Sequence, residues 1–248
     1  MSQPKNITAT SVTGKGNSVL TADKDVTVTG AFSAHNAELT AGENMTLGGK
    51  TDVGGTLTTH VAHDLTANDA VTTGADFTAI VGNNAVTNGI VTTNGALKWN
   101  VGNDLTANAA VLSHGATTID AQNVNLNADL MSDKNLAITA KNNIVTKEGA
   151  NLSTKADGTL KARTVGFGGD VHADGTLTIE TDEQLAAKNI TAGGNATLNA
   201  GTDLFANNVN VGGDANIAAG TNLTAHDVSV GGDLDAKAKT ITVSNVGA

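Results

Sequence analysis

The residues best equipped for chemistry in this chain are few and loosely grouped. His60 and His63 are the first pair to weigh as metal ligands, but three positions apart on one strand they point to opposite faces. They read as surface histidines unless a turn intervenes. The corners Gly212-Gly213-Asp214 and Gly231-Gly232-Asp233 look like half of a calcium-binding nonapeptide whose second half is missing, so they read as turns. Asp214 and Asp233 could still stack one coil apart and draw a cation weakly. Six basic residues, Lys134, Lys141, Lys147, Lys155, Lys161 and Arg163, fall within thirty positions of an otherwise acidic chain. They form a candidate patch for acidic glycans or a partner protein, although Asp133, Glu148 and Asp157 interrupt it. No pair of acids stands out as general acid and base. The expectation is therefore no catalytic residue, no cofactor, no metal site and no enzymatic activity.

What does recur is an Asp or Asn followed at once by an apolar residue, every 18 to 21 residues. The column is Asn6, Asp25, Asn44, Asp64, Asn84, Asp104, Asn123, Asn143, Asp203 and Asn222, with Thr164, Gln184 and Thr240 as degenerate members. On each side of it apolar residues alternate at period two, as in Trp99, Val101, Leu105 and Ala107, with Gly102 and Asn103 at the corner. The 3.6-residue helical period is missing. A unit this small cannot bury an apolar face alone, so neighbouring units must stack. The expected fold is all-β: a parallel β-helix solenoid of about 13 coils, 19–20 residues per coil, with three short strands in each. The Asp/Asn column then becomes a structural ladder at one corner. Trp99 falls in an apolar column with Leu39 and Ala79 and reads as core. The Thr-rich positions, such as Thr27 with Thr29, Thr72-Thr73 and Thr92-Thr93, lose register too often for an ice-binding face.

Composition narrows the partners. Twenty-four acidic against 14 basic residues give a net charge of −10, which opposes binding to nucleic acid or an anionic membrane. The apolar runs are too short to cross a bilayer, so no transmembrane protein is expected, and the first residues lack the pattern of a signal peptide. Zero cysteines exclude disulfides and thiolate metal sites. Residues 1–5 read as a disordered start or one added for expression, and residues 6–248 as a single repeat domain without evident caps. Uncapped ends suggest either a piece cut from a longer solenoid or a subunit that self-associates end to end. Asn-x-Ser/Thr triplets occur at Asn44, Asn151, Asn195 and Asn222, but the repeat grammar generates some of them by itself.

The segment VGGDANIAAGTNLTAHDVSVGGDLDAKAKTITVSN resembles the repeats of filamentous haemagglutinin-type adhesins, the large exoproteins of bacterial two-partner secretion systems. The residues that carry the resemblance are the two Gly-Gly-Asp corners and the Gly-Thr-Asp/Asn-Leu turns at 201–204 and 220–223, and it extends along essentially the whole chain. It implies a right-handed coil, export through an outer-membrane secretion pore, and a secreted or cell-surface location facing a host or neighbouring cell. The expected function is a non-enzymatic shaft segment that extends binding or effector regions from the cell. The alternative is an extracellular filament subunit that stacks through its open ends.

Overall fold

The computed structural model describes residues 3–247 and contains strands but no helix among them. The strands pair in parallel with their counterparts about 19 residues along, which makes a β-solenoid of about 13 turns. The chain forms two compact units, Met1–Gln122 and Asn123–Ala248. Residues 1, 2 and 248, which belong to the expected start and end of the repeat domain, lie outside the described residues. Pro4 and Lys5 already join the stack, because their carbonyls accept from Asp23 N (3.0 Å) and Lys24 N (2.8 Å).

In the first unit each coil has three sides. The first side carries strands such as Val26–Val28, Met45–Leu47 and Leu65–Ala67, and the second Phe32–Ala34, Thr51–Val53 and Val71–Thr73. Three residues suffice for an inward, an outward and an inward side chain, so these strands are buried at both ends and half-exposed or exposed in the middle. The third side is longer. Leu57–Val61, Phe77–Val81 and Leu97–Val101 each send three side chains inward.

Register stacks like positions into columns. Leu39 pairs with Thr59, Thr59 with Ala79, Ala79 with Trp99 and Trp99 with Ile119. Trp99 is 2% exposed and meets Phe77 edge-on, with ring centroids 6.0 Å apart. The small Ala79 one coil below leaves room for the indole, which is how a column of unequal volumes reaches close packing.

The second unit uses the same three sides, with a tighter first corner in its later coils. Ala67 and Val71, across the first corner of a coil in the first unit, are four positions apart, whereas Ala206 and Val209 are three apart. Losing that residue fuses the two sides into single strands, Leu185–Ala192, Asp203–Val211 and Asn222–Val230. The opposite change occurs at Lys147–Ala150, where extra residues form a turn closed by Ala150 N donating to Lys147 O at 3.0 Å. Gly149 sits there at φ 78°, the left-handed position that glycine adopts without strain.

Hydroxyls also enter the core. Thr93 is fully buried and its Oγ1 donates to Ala75 O at 2.6 Å, while Thr73 Oγ1 donates to Thr93 Oγ1 at 2.9 Å. Ser113 and, in the second unit, Thr154 occupy the same inward position and bond to corner carbonyls in the same way. Short β-branched or small hydroxyl residues thus enter the core with their own hydroxyl satisfied by a corner carbonyl.

Candidate functional site

The most regular polar feature of the first unit is the ladder before the first side. Its members alternate: Asn6, Asp25, Asn44, Asp64, Asn84, Asp104. Asp25 N donates to Asn6 Oδ1 (3.3 Å), and Asn44 donates to Asp25 Oδ1 from both its backbone N and its Nδ2 (3.1 Å each). Asp64 N then reaches Asn44 Oδ1 (3.4 Å), Asn84 N reaches Asp64 Oδ1 (3.0 Å) and Asp104 N reaches Asn84 Oδ1 (3.2 Å). The alternation has a physical reason. Either side chain accepts the next coil's backbone N–H through Oδ1, but an Asn in place of an Asp can also donate, as Asn44 Nδ2 does to Asp25. Like charges are also kept two coils, ~10 Å, apart.

In the second unit this column is shorter. Asn143 Nδ2 donates to Asn123 Oδ1 (3.2 Å), the Thr164 hydroxyl donates to Asn143 Oδ1, and Asn222 Nδ2 donates to Asp203 Oδ1 (2.8 Å). The longer ladder of this unit lies at the next corner, before the second side. Asn151 N donates to Asp129 Oδ1 (2.8 Å), Asp170 N to Asn151 Oδ1 (2.9 Å) and Asn189 Nδ2 to Asp170 Oδ1 (2.6 Å). Asn208 continues it between Asn189 and Asp227, and Asn245 Nδ2 donates to Asp227 Oδ1.

A third ladder precedes the third side. It includes Asn17 and Asn36 in the first unit, and Asn135, Asp157, Asn195, Asp214 and Asp233 in the second. Asp157 Oδ1 accepts from Thr176 N at 2.8 Å, and this backbone hydrogen bond, helped by the Thr176 side chain, holds the carboxyl below its ordinary value. The second and third ladders follow the same grammar as the first, since Asp76-Phe77, Asn135-Leu136, Asn151-Leu152 and Asp214-Ala215 are all Asx-apolar pairs. That signal could have found them.

The six basic residues do not share one surface. Lys134 and Lys155 lie at the corner before the third side, Lys161 points outward from the strand Gly158–Ala162, Lys141 and Arg163 follow the third side, and Lys147 belongs to the inserted turn. Three of them face carboxylates: Lys155 with Asp133 (2.7 Å), Lys161 with Glu180 (2.7 Å) and Arg163 with Glu183 (3.5 Å). Lys141 and Lys161 line a common hollow, and Glu180 and Asp182 line it with them.

The histidines are also apart. His60 is half-buried on the outward side of Leu57–Val61, and His63 is exposed in the following corner. Asp214 Oδ1 is occupied by Asp233 N at 2.9 Å, and no group of three or more His, Cys, Asp or Glu residues among the described ones could hold a metal ion. The triplet asparagines are ladder members: Asn44, Asn151 and Asn195 accept from the next coil, and Asn222 donates to the previous one.

The threonines keep register better than the sequence suggested. Thr8, Thr27, Thr46 and Thr66 align on the outward face of the first side, with Val86 and then Thr106 continuing the column. It is one column only, because a three-residue strand has one outward position. Thr72 and Thr92 point outward from a different side, and Thr73 and Thr93 point inward.

Comparison with protein families, curated proteins and solved structures returns no match. Among the described residues no helix is long and apolar enough to cross a membrane.

Proposed function

We propose that the chain is a non-enzymatic shaft segment of a secreted or surface-exposed bacterial exoprotein of the filamentous haemagglutinin kind, extending binding or effector regions from the cell. One observation carries this reading: the repeating polar side chains bond to their counterparts in adjacent coils, as in Asn44 to Asp25 and Asn189 to Asp170. A scaffold that must keep its length needs such coil-to-coil bonding more than it needs a cleft.

The test is to display the chain between a surface anchor and a tag, duplicating residues 64–83 or 64–103 in separate variants. The shaft reading expects the tag to move outward by ~5 Å per added coil with its binding unchanged. Loss of a saturable ligand when single coils are replaced would overturn it in favour of a binding domain.

Assembly into a filament is the second reading. In it another coil would cover Leu234, Ile241 and Val246, which are 38%, 46% and 62% exposed along the strands Leu234–Lys237 and Thr240–Gly247. Their counterparts in the preceding coil, Ala215, Leu223 and Val228, are buried. An apolar face flanked by unpaired strand edges can join another coil. Mass that rises with concentration in light scattering, and falls to one chain in Ile241→Lys, would support this reading; constant mass would exclude it.

A further inference from the structure

The chain contains two Asn-Gly bonds, Asn88-Gly89 and Asn94-Gly95. In this dipeptide the asparagine side chain meets least hindrance in reaching the next backbone nitrogen, because glycine has no Cβ and rotates freely. Sequence alone would treat the two bonds as equivalent.

The structure does not. The Asn88 amide is held on both sides: its Nδ2 donates to Asn68 Oδ1 at 3.0 Å, and its Oδ1 accepts from Asn108 Nδ2 at 2.7 Å. Swinging its Cγ toward Gly89 N breaks both bonds at once. Asn94 is exposed, and among the described residues its side chain has no hydrogen-bond partner. Only its backbone is tied, through Asn94 N to Thr73 O at 3.0 Å and Gly95 N to Ala75 O at 3.1 Å. Opening that corner, a local fluctuation rather than unfolding, is enough to free the nucleophile.

We propose that Asn94 is a site of spontaneous deamidation and that the side-chain ladder shields Asn88 from the same reaction. Gly95 N leaves Ala75 O and attacks Asn94 Cγ. The new N–Cγ bond forms, the Cγ–Nδ2 bond breaks, and the side-chain nitrogen departs as ammonia with the proton from Gly95 N. Water then opens the five-membered imide at either carbonyl, leaving an aspartate or an isoaspartate. One water is consumed and one ammonia released, with no redox change. The product sits beside Asp76, whose Oδ1 already accepts from Ala96 N at 2.8 Å. A second carboxylate, or the extra main-chain methylene of isoaspartate, loosens this corner.

The experiment is peptide mapping, with isoaspartate detection, of the folded chain held for weeks at neutral and mildly alkaline pH, beside a urea-unfolded control. The expected result is conversion at both sites in urea, and in the folded chain conversion at Asn94 about tenfold or more faster than at Asn88. Replacing both clamps in the variant Asn68→Ala/Asn108→Ala raises the Asn88 rate and leaves that of Asn94 unchanged, with circular dichroism confirming the fold. Equal rates in the folded chain, a faster Asn88, or no conversion at Asn94 while the urea control reacts would each overturn the proposal.

Discussion

Lys188 Nζ lies 3.2 Å from Glu148 Oε1, although the two residues are 40 positions apart. Glu148 belongs to the inserted turn, Lys188 to the strand Leu185–Ala192 two coils on, and Gly168-Gly169 occupies the coil between them. A Cβ at Gly168 would come within 2.5 Å of Lys147 C, and one at Gly169 within 2.2 Å of Ala150 O. The glycine pair makes room for the turn, and the turn brings Glu148 to Lys188. Both ends of the ion pair are well exposed, so Lys188→Ala is expected to cost less than about 1 kcal/mol in urea unfolding and to lose that effect in high salt. Gly169→Ala is expected to cost more, about 2 kcal/mol, because backbone must shift.

The alternation of Asn and Asp in the first ladder leads to a charge prediction. Asn44→Asp places carboxylates in three consecutive coils with Asp25 and Asp64 and removes the Nδ2 donor to Asp25. Stability should fall by about 1–2 kcal/mol at neutral pH, and the deficit should shrink as the carboxyls protonate in acid. Asn44→Ala loses only the bonds, so denaturant curves of the two variants at neutral and acid pH separate repulsion from bond loss.

Buried hydroxyls divide into two kinds. Thr59 Oγ1 is buried with no hydrogen-bond partner, whereas Thr93 Oγ1 donates to Ala75 O. Thr59→Val should stabilise the chain by about 1 kcal/mol, since an unmet polar group is replaced by a methyl of similar volume. Thr93→Val should destabilise it by about 1–3 kcal/mol. Paired urea titrations read both signs, and a destabilised Thr59→Val would show that this hydroxyl is satisfied after all.

Asp157 carries a pH dependence. Its carboxyl is held below the ordinary value by the Thr176 backbone N–H. A depressed folded-state value means that the carboxylate contributes stability above the unfolded value, and that the contribution is lost as pH falls through the folded one. Asp157→Asn should therefore flatten the acid limb of the stability profile by lowering stability at neutral pH, and change little in strong acid where the native carboxyl is already protonated. A carboxyl-carbon titration by NMR should place Asp157 below the ordinary aspartate value.

The period, the three short strands and the inward placing of Trp99 were all legible in the sequence. Each is a local property, an Asx-apolar pair or an alternation, repeated so often that one coil explains the next. The first ladder was legible for the same reason. Which Asx columns run unbroken was not, because a bond such as Asn189 to Asp170 depends on registers that shift whenever a corner gains or loses a residue. The loss between Ala206 and Val209 and the gain at Lys147–Ala150 are small in sequence and decisive in space. Lys134, Lys147 and Lys161 lie at different places around the coil, because a stretch that looks basic when read linearly runs over more than one turn of about 19 residues. The sequence by itself determined the coil; the tertiary structure decided what each coil meets in the next, because partners 18 to 22 residues apart are fixed by the path of the intervening chain.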